Sequence, residues 1–311
     1  MSAELLRQQA HTRLALMLIW LTPMLWTVNQ VAARLAPGVV APHVLAFGRW
    51  GIAGLILMWL ARRELWLMRD HICRTWYQSL VLGGCGMWIC GAWVYVAGQS
   101  TSAMNISLIY ASSPVMIAVG SVLWLGEHFT KRQILGVALS VAGVMHVLVR
   151  GHWSALAQVE LVVGDLWILA AAIAWAAYAL LQKHWHSPLS ATARLATICM
   201  GGIVVLLPFT IWELSLSATP ELGQQAYFLI GLTALVPGLG AYWIYGWTQR
   251  ILGTSRVAVT LYLGPLYAGL AAWLLLNEPL GWHHLAGGLL ILSGVGLVMA
   301  TQKKSELGHA E

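Results

Sequence analysis

Along this 311-residue chain the side chains equipped for chemistry lie inside long apolar runs and recur at helical spacing. Trp26, Asn29, Gln30 and Ala33 stand at i, i+3, i+4 and i+7, one stripe of a helix, with Pro23 a turn earlier to loosen the backbone. Trp175, Tyr178 and Gln182 make a second stripe of the same kind. Trp88, Tyr95 and Gln99 share one helical face in another run, and so do Tyr242, Tyr245 and Gln249, whereas Trp93 and Trp243 turn away toward lipid or neighbouring helices. Asn105, Ser107, Tyr110 and Ser113 precede Pro114, and Thr260 and Tyr262 precede Pro265. Each proline frees a carbonyl one turn earlier, which lipid tolerates only if another helix or a wet cavity satisfies it. Such stripes serve either interhelical packing or the wall of a substrate cavity. For Tyr95 and Tyr245, near the ends of their runs, an interfacial aromatic belt is the alternative.

Charge inside the runs is sparse. Arg49 is the one basic residue well within an apolar run. Burying it in a bilayer costs at least about 2.5 to 3.5 kcal/mol, so it needs a partner or a function. It either snorkels to headgroups or pairs with Asp165, or it anchors a carboxylate or phosphate on a substrate. Glu127 and Glu278 close two equivalent runs, which favours a structural role in holding the following turns over proton handling. Asp165 starts a helix, where a carboxylate suits the dipole. No Asp or Glu falls near the middle of a run, and His146 and His184 lie near run ends. A carboxylate proton relay is therefore not visible. Nor do Asp, Glu and His cluster with catalytic spacing, which disfavours an enzyme acting on lipid-linked substrates. No cofactor or metal is implied.

The elements that must position these residues follow from composition. The chain is 59% hydrophobic and 9% charged, with mean hydropathy +0.74, 31 Gly and 18 Trp. A soluble globule would be about one quarter charged. Spans are expected at 14–34, 43–60, 80–97, 103–125, 134–149, 164–182, 193–212, 226–247, 255–276 and 284–300, each near the roughly 20 residues a bilayer needs. This makes the chain an all-α polytopic membrane protein of ten transmembrane helices. The first run is longer than a signal-peptide core and is read as a retained span. Cys73, Cys85, Cys90 and Cys199 imply neither a disulfide framework nor a zinc site. A net charge of +6 would suit nucleic acid only if the basic residues were gathered on a patch, and they are scattered between runs. With the N-terminus inside, nearly all Lys and Arg fall in cytoplasmic segments, and only Arg34 and Arg150 fall outside. This bias places both termini in the cytoplasm.

The chain also repeats itself. Pro114, Leu123, Leu125, Glu127, Gly136, Leu139, Gly143 and Val144 return 151 residues later as Pro265, Leu274, Leu276, Glu278, Gly287, Leu290, Gly294 and Val295. Trp93, Tyr95 and Gln99 return at 150, and Trp26 at 149 as Trp175. Five spans per half, an odd number, predict two inverted five-helix repeats, residues 1–150 and 151–311. In the fifth and tenth spans Gly136, Ser140, Gly143, Gly287 and Gly294 line one face with small residues, suited to close packing within the chain or in a homodimer.

The doubled pattern of proline, Leu-x-Glu, turn and Gly-x6-Gly, with Gly164-Asp165-Leu166 opening the second half, resembles the ten-helix EamA-type branch of the drug/metabolite transporter superfamily. The resemblance implies a carrier in the cytoplasmic (inner) membrane that moves a small organic molecule by alternating access, with export of amino acids or related compounds favoured. An uptake permease for an anionic metabolite, which Arg49 would favour, and a non-transporting scaffold or sensor are the alternatives. The expected substrate-binding residues are Trp26, Asn29, Gln30, Arg49, Trp88, Tyr95, Gln99, Tyr110, Trp175, Tyr178, Tyr242, Tyr245 and Tyr262.

Overall fold

The computed structural model describes residues 3–125, 130–153, 162–216, 220–252 and 263–308, and among them there is no β-strand. Glu127, Thr260 and Tyr262 lie outside the described residues. Ten helices match the expected spans: α1 Ala3–Leu35, α2 Pro42–Leu67, α3 Trp76–Ala97, α4 Ala103–Trp124, α5 Lys131–Leu148, α6 Val163–His184, α7 Ala191–Ser215, α8 Gln224–Tyr245, α9 Gly264–Leu276 and α10 Trp282–Gly308. Seven of these are long and apolar enough to cross a membrane, and α9 and the Trp282–Leu297 part of α10 are shorter apolar helices. The described part of α9 starts only at Gly264, which shortens it. In α5, Lys131 and Arg132 open a helix started by a Thr130–Gln133 capping box.

The helices pair as exchange of the halves requires. The α1 helix packs on α8 as α6 packs on α3, α2 lies against α7, and α5 against α10. The last two pairs are antiparallel. His43 meets Glu213 while Gly54 meets Cys199, and Gly143 meets Gly287 while Gly294 meets Gly136. The protein is therefore a polytopic bundle of two inverted five-helix repeats. Both repeats also carry the same irregularity, a π-helical turn at Gly84–Ile89 in α3 and at Ala234–Gly240 in α8. Such wide turns are rare and concentrate at functional sites.

Glycines set the closest approaches. A β-carbon on Gly83 would sit 2.2 Å from the Gly202 nitrogen, and one on Gly201 would sit 2.1 Å from the Ser79 carbonyl oxygen, so α3 and α7 touch backbone to backbone. The small residues of α5 and α10 face each other in the same way: a β-carbon on Gly294 would lie 2.4 Å from the Gly136 oxygen. The stripe of Gly136, Ser140, Gly143, Gly287 and Gly294 therefore packs within the chain.

Candidate functional site

Between the halves lies a cavity of ≈ 900 Å³. The repeat-related stripes of α1 and α6 both reach it: Trp26, Asn29 and Gln30 from one, Trp175, Tyr178 and Gln182 from the other. Trp26 is held edge-on to Tyr242 at 5.7 Å and tilted against Tyr245 at 5.4 Å, and Trp50 also meets Tyr242 edge-on at 6.1 Å. Trp175 stacks on Tyr178 at 5.1 Å, forming a second aromatic wall. Tyr110 completes the enclosure, its hydroxyl donating to the Cys90 carbonyl oxygen at 3.0 Å where the π-helical turn of α3 ends. Pro114 and Pro265 both border the cavity. The carbonyl that Pro114 frees, that of Tyr110, accepts from the Ser113 hydroxyl at 2.6 Å, so the α4 break leaves no orphan there.

Arg49 enters the cavity wall while remaining 4% exposed. It neither snorkels nor pairs with Asp165. Its Nη1 donates to Asn29 Oδ1 at 2.7 Å and to the Tyr95 hydroxyl at 3.1 Å, and Tyr95 in turn donates to Asn29 Oδ1 at 2.8 Å. The guanidinium lies 4.4 Å from the Trp50 ring centroid. Arg49 Nε and Trp50 Nε1 are buried with no hydrogen-bond partner. Tyr95 is 0% exposed, so it stands behind Arg49 as a support rather than in an interfacial belt or at the cavity surface.

Two more expected site residues are also off the cavity surface. Trp88 does not line the cavity; it stacks on Phe209 at 4.2 Å. It lies in the wide turn Gly84–Ile89, whose extra residue rotates it out of the α-helical register with Tyr95. Gln99 falls beyond the end of α3 at Ala97, exposed in the following turn. Trp243, expected to turn away, is 62% exposed yet borders the cavity. Sequence periodicity missed Trp50, Cys90, Gly86 and Gly91, all of which line it. The nearest signal for these was Gly84 and Gly86 flanking Cys85, the glycine-rich stretch that admits the wide turn.

The cavity runs to the end of the bundle that carries Gln182, Ala191 and Arg194, and the opposite end is closed by polar bonds that join the halves. Arg34 pairs with Glu278 at 2.7 Å and also donates to the Gly98 carbonyl oxygen. Glu278 accepts from the Ala103 amide at 3.0 Å, so this carboxylate caps α4 rather than only holding its own turn. Asp165 accepts from Thr101 and from Asn105 at 3.1 and 3.3 Å. His284 Nδ1 accepts from the Gly281 amide, which leaves Nε2 as the nitrogen that donates to Asn105 Oδ1 at 3.0 Å. Glu213 accepts from the amides of His43 and Val44 at the start of α2, and from His43 Nδ1 at 2.7 Å.

The model of the EamA-like transporter family matches this sequence twice, over residues 13–149 and 162–300. The chain belongs to the EamA-like transporter family. Among similar EamA-type proteins, the uncharacterized transporter YvbV of Bacillus subtilis is 29% identical over 96% of this chain and 95% of its own. An uncharacterized transporter of Archaeoglobus fulgidus is 26% identical over 92% and 97%. An S-adenosylmethionine/S-adenosylhomocysteine transporter of Chlamydia trachomatis serovar D is 24% identical over 85% and 83%. A solved crystal structure matches the fold with TM-score 0.61 at 16% identity, covering 93% of this chain and 98% of that one. Both family matches contain one aromatic stripe and one proline that borders the cavity, Pro114 and Pro265, so the two halves put equivalent walls on the two sides of one cavity. The protein is accordingly a multi-pass membrane transporter and not an enzyme.

Proposed function

We propose that the protein carries a small organic metabolite across the cytoplasmic membrane by alternating access, with the central cavity as its substrate site and the halves 1–150 and 151–311 as the moving bodies. The observation that carries this reading is one ≈ 900 Å³ cavity walled by repeat-related aromatic stripes from both halves. Lipid does not favour such stripes, and inverted-repeat carriers bind substrate at such an interface. Trp26, Trp175, Tyr178, Tyr110, Tyr242 and Tyr245 would enclose the substrate, Asn29 and Gln30 would give it polar contacts, and Arg49 would orient it. The family resemblance favours export. The positive-inside bias puts the open end in the cytoplasm and the polar closure outside. S-adenosylmethionine, which names one relative, belongs in the first substrate panel.

Removing one aromatic wall should cost about 0.5 to 1.5 kcal/mol of stacking beyond its area. Trp26→Ala or Trp175→Ala should therefore raise the half-saturating substrate concentration in proteoliposomes several-fold. Trp66→Ala and Trp76→Ala, residues that are 69% and 60% exposed and do not line the cavity, should leave it unchanged. Equal behaviour of all four at equal reconstitution would remove the cavity from the substrate path. Orientation is tested separately. Single cysteines beside Arg69 and Lys131 in a cysteine-free variant should resist an impermeant thiol reagent in intact cells, whereas one beside Arg150 should react at once.

A further inference from the structure

The cavity is electrostatically one-sided. Among its described lining residues there is no Asp, Glu or His, and the charged side chains are Arg49 and Arg194. Arg194 is engaged at the open end, its Nη2 donating to the carbonyl oxygens of Gln182 and Trp185 at 3.0 and 2.6 Å. Arg49 is different. It is 4% exposed, its hydrogen-bond partners are the neutral Asn29 and Tyr95, and its Nε has none; beside it the 2% exposed Trp50 holds a second unpartnered N–H. A buried cation without a counter-charge is costly, and each buried donor left unmade costs about 1 to 3 kcal/mol. Asp165, Glu213 and Glu278 are occupied at the closed end by Thr101 and Asn105, by His43, and by Arg34, and at the open end Glu64, outside the lining, accepts from the Ser190 amide and hydroxyl. An anionic group brought in by the substrate would supply what the wall lacks, and an ammonium group would meet two guanidinium groups and no carboxylate.

Resting on the carrier reading above, we infer that the substrate is a small organic anion with a planar unsaturated body. Its carboxylate, or an oxyanion of similar size, docks on Arg49 with the Trp50 indole N–H beside it. Its ring lies between the Trp26–Tyr242–Tyr245 wall and the Trp175–Tyr178 wall. The planar fork of Arg49 makes the contact bidentate, which a lysine cannot reproduce. Asn29 and Tyr95 fix the guanidinium from behind, so the anchor is set before the ligand arrives.

The probes are matched pairs that differ only in charge: benzoate against benzamide, indole-3-carboxylate against its carboxamide, with tryptamine, tryptophan and S-adenosylmethionine as cationic and zwitterionic arms. Binding to purified wild-type protein is followed by titration calorimetry and uptake by counterflow in proteoliposomes. Each carboxylate should bind at least about tenfold more tightly than its amide, a comparison that needs no variant, and tryptamine should not compete. Arg49→Lys should erase most of that carboxylate preference while leaving the elution profile monodisperse. Amides binding as well as carboxylates, or a preference unchanged in Arg49→Lys, would overturn the inference. Transport of tryptamine, tryptophan or S-adenosylmethionine to the exclusion of the anions would overturn it and leave the carrier reading standing. If nothing in the panel binds and a whole-cell metabolite extract gives no counterflow, the carrier reading falls and the inference with it.

Discussion

Gly201→Val should leave little folded protein. Two atoms of Ser79, its carbonyl carbon and oxygen, lie within 2.4 Å of where the new β-carbon would be, and they are backbone, which cannot rotate aside. Overpacking a well-filled core typically costs about 1 to 3 kcal/mol, and a clash with backbone on a second helix belongs at or above the top of that range. The Gly83→Val change attacks the same contact from α3, where the Gly202 nitrogen is 2.2 Å away, and should behave alike. The control is Gly51→Ala in α2, where nothing lies within 4 Å of the added carbon. Exchanging a helical glycine for alanine in open space gains up to about 1 kcal/mol, so that variant should melt at or slightly above the wild-type temperature. Fluorescence-detected size exclusion after heating separates the three. A Gly201→Val protein with wild-type thermal stability would mean that α3 and α7 do not pack at this point.

Glu278→Ala should be the next most damaging change, and for an electrostatic reason. The carboxylate neutralises Arg34 and caps the first amide of α4, so its removal strands a part-buried cation and a buried N–H together. Losing one partner of a buried ion pair costs about 3 to 5 kcal/mol. Arg34 is 30% exposed and can turn to water, which brings the expectation to about 2 to 3 kcal/mol. Glu278→Gln keeps an acceptor for the Ala103 amide while giving up the charge, and it should lose about half as much. Chemical or thermal melts in detergent would order the three proteins, and equal stability of Glu278→Ala and wild type would refute the assigned role.

The fold was legible because lipid imposes simple rules. Apolar runs of the right length, the Pro114/Pro265 and Glu127/Glu278 duplications and the Lys and Arg asymmetry each point to the same bundle, and every expected span falls on a helix, although α1 starts as early as Ala3 and α10 runs on to Gly308. The site was legible where helices stay regular. Trp26 with Asn29, and Trp175 with Tyr178, are spaced by α-helical arithmetic in unbroken segments, and both pairs reach the cavity. Reading failed where the arithmetic changes. Trp88 sits in a turn with a different number of residues, and Gln99 sits past a helix end that a glycine at 98 sets. Arg49 could not be paired by sequence because its partners come from α1 and α3, and Asp165, the obvious counterion, is claimed by a hydrogen-bond network whose other members are neutral.

The bonds that close the end opposite Gln182 and Arg194 bear on how such a carrier would move. Several of them join the first repeat to the second, and these are polar: Arg34 to Glu278, Thr101 and Asn105 to Asp165, His284 to Asn105, His43 to Glu213. A seal of interlocked hydrocarbon would have to expose its whole apolar area on parting. A seal of hydrogen bonds parts into water that replaces each partner, so that one bond contributes a net of only about 0.5 to 1.5 kcal/mol, or about 1.5 to 3 where an ion takes part. Two conformers separated by a few such bonds differ by an amount that a bound molecule's unequal affinity for them can offset. On the alternating-access reading proposed above, it is the material of the closure, rather than its extent, that would let this end part and re-form.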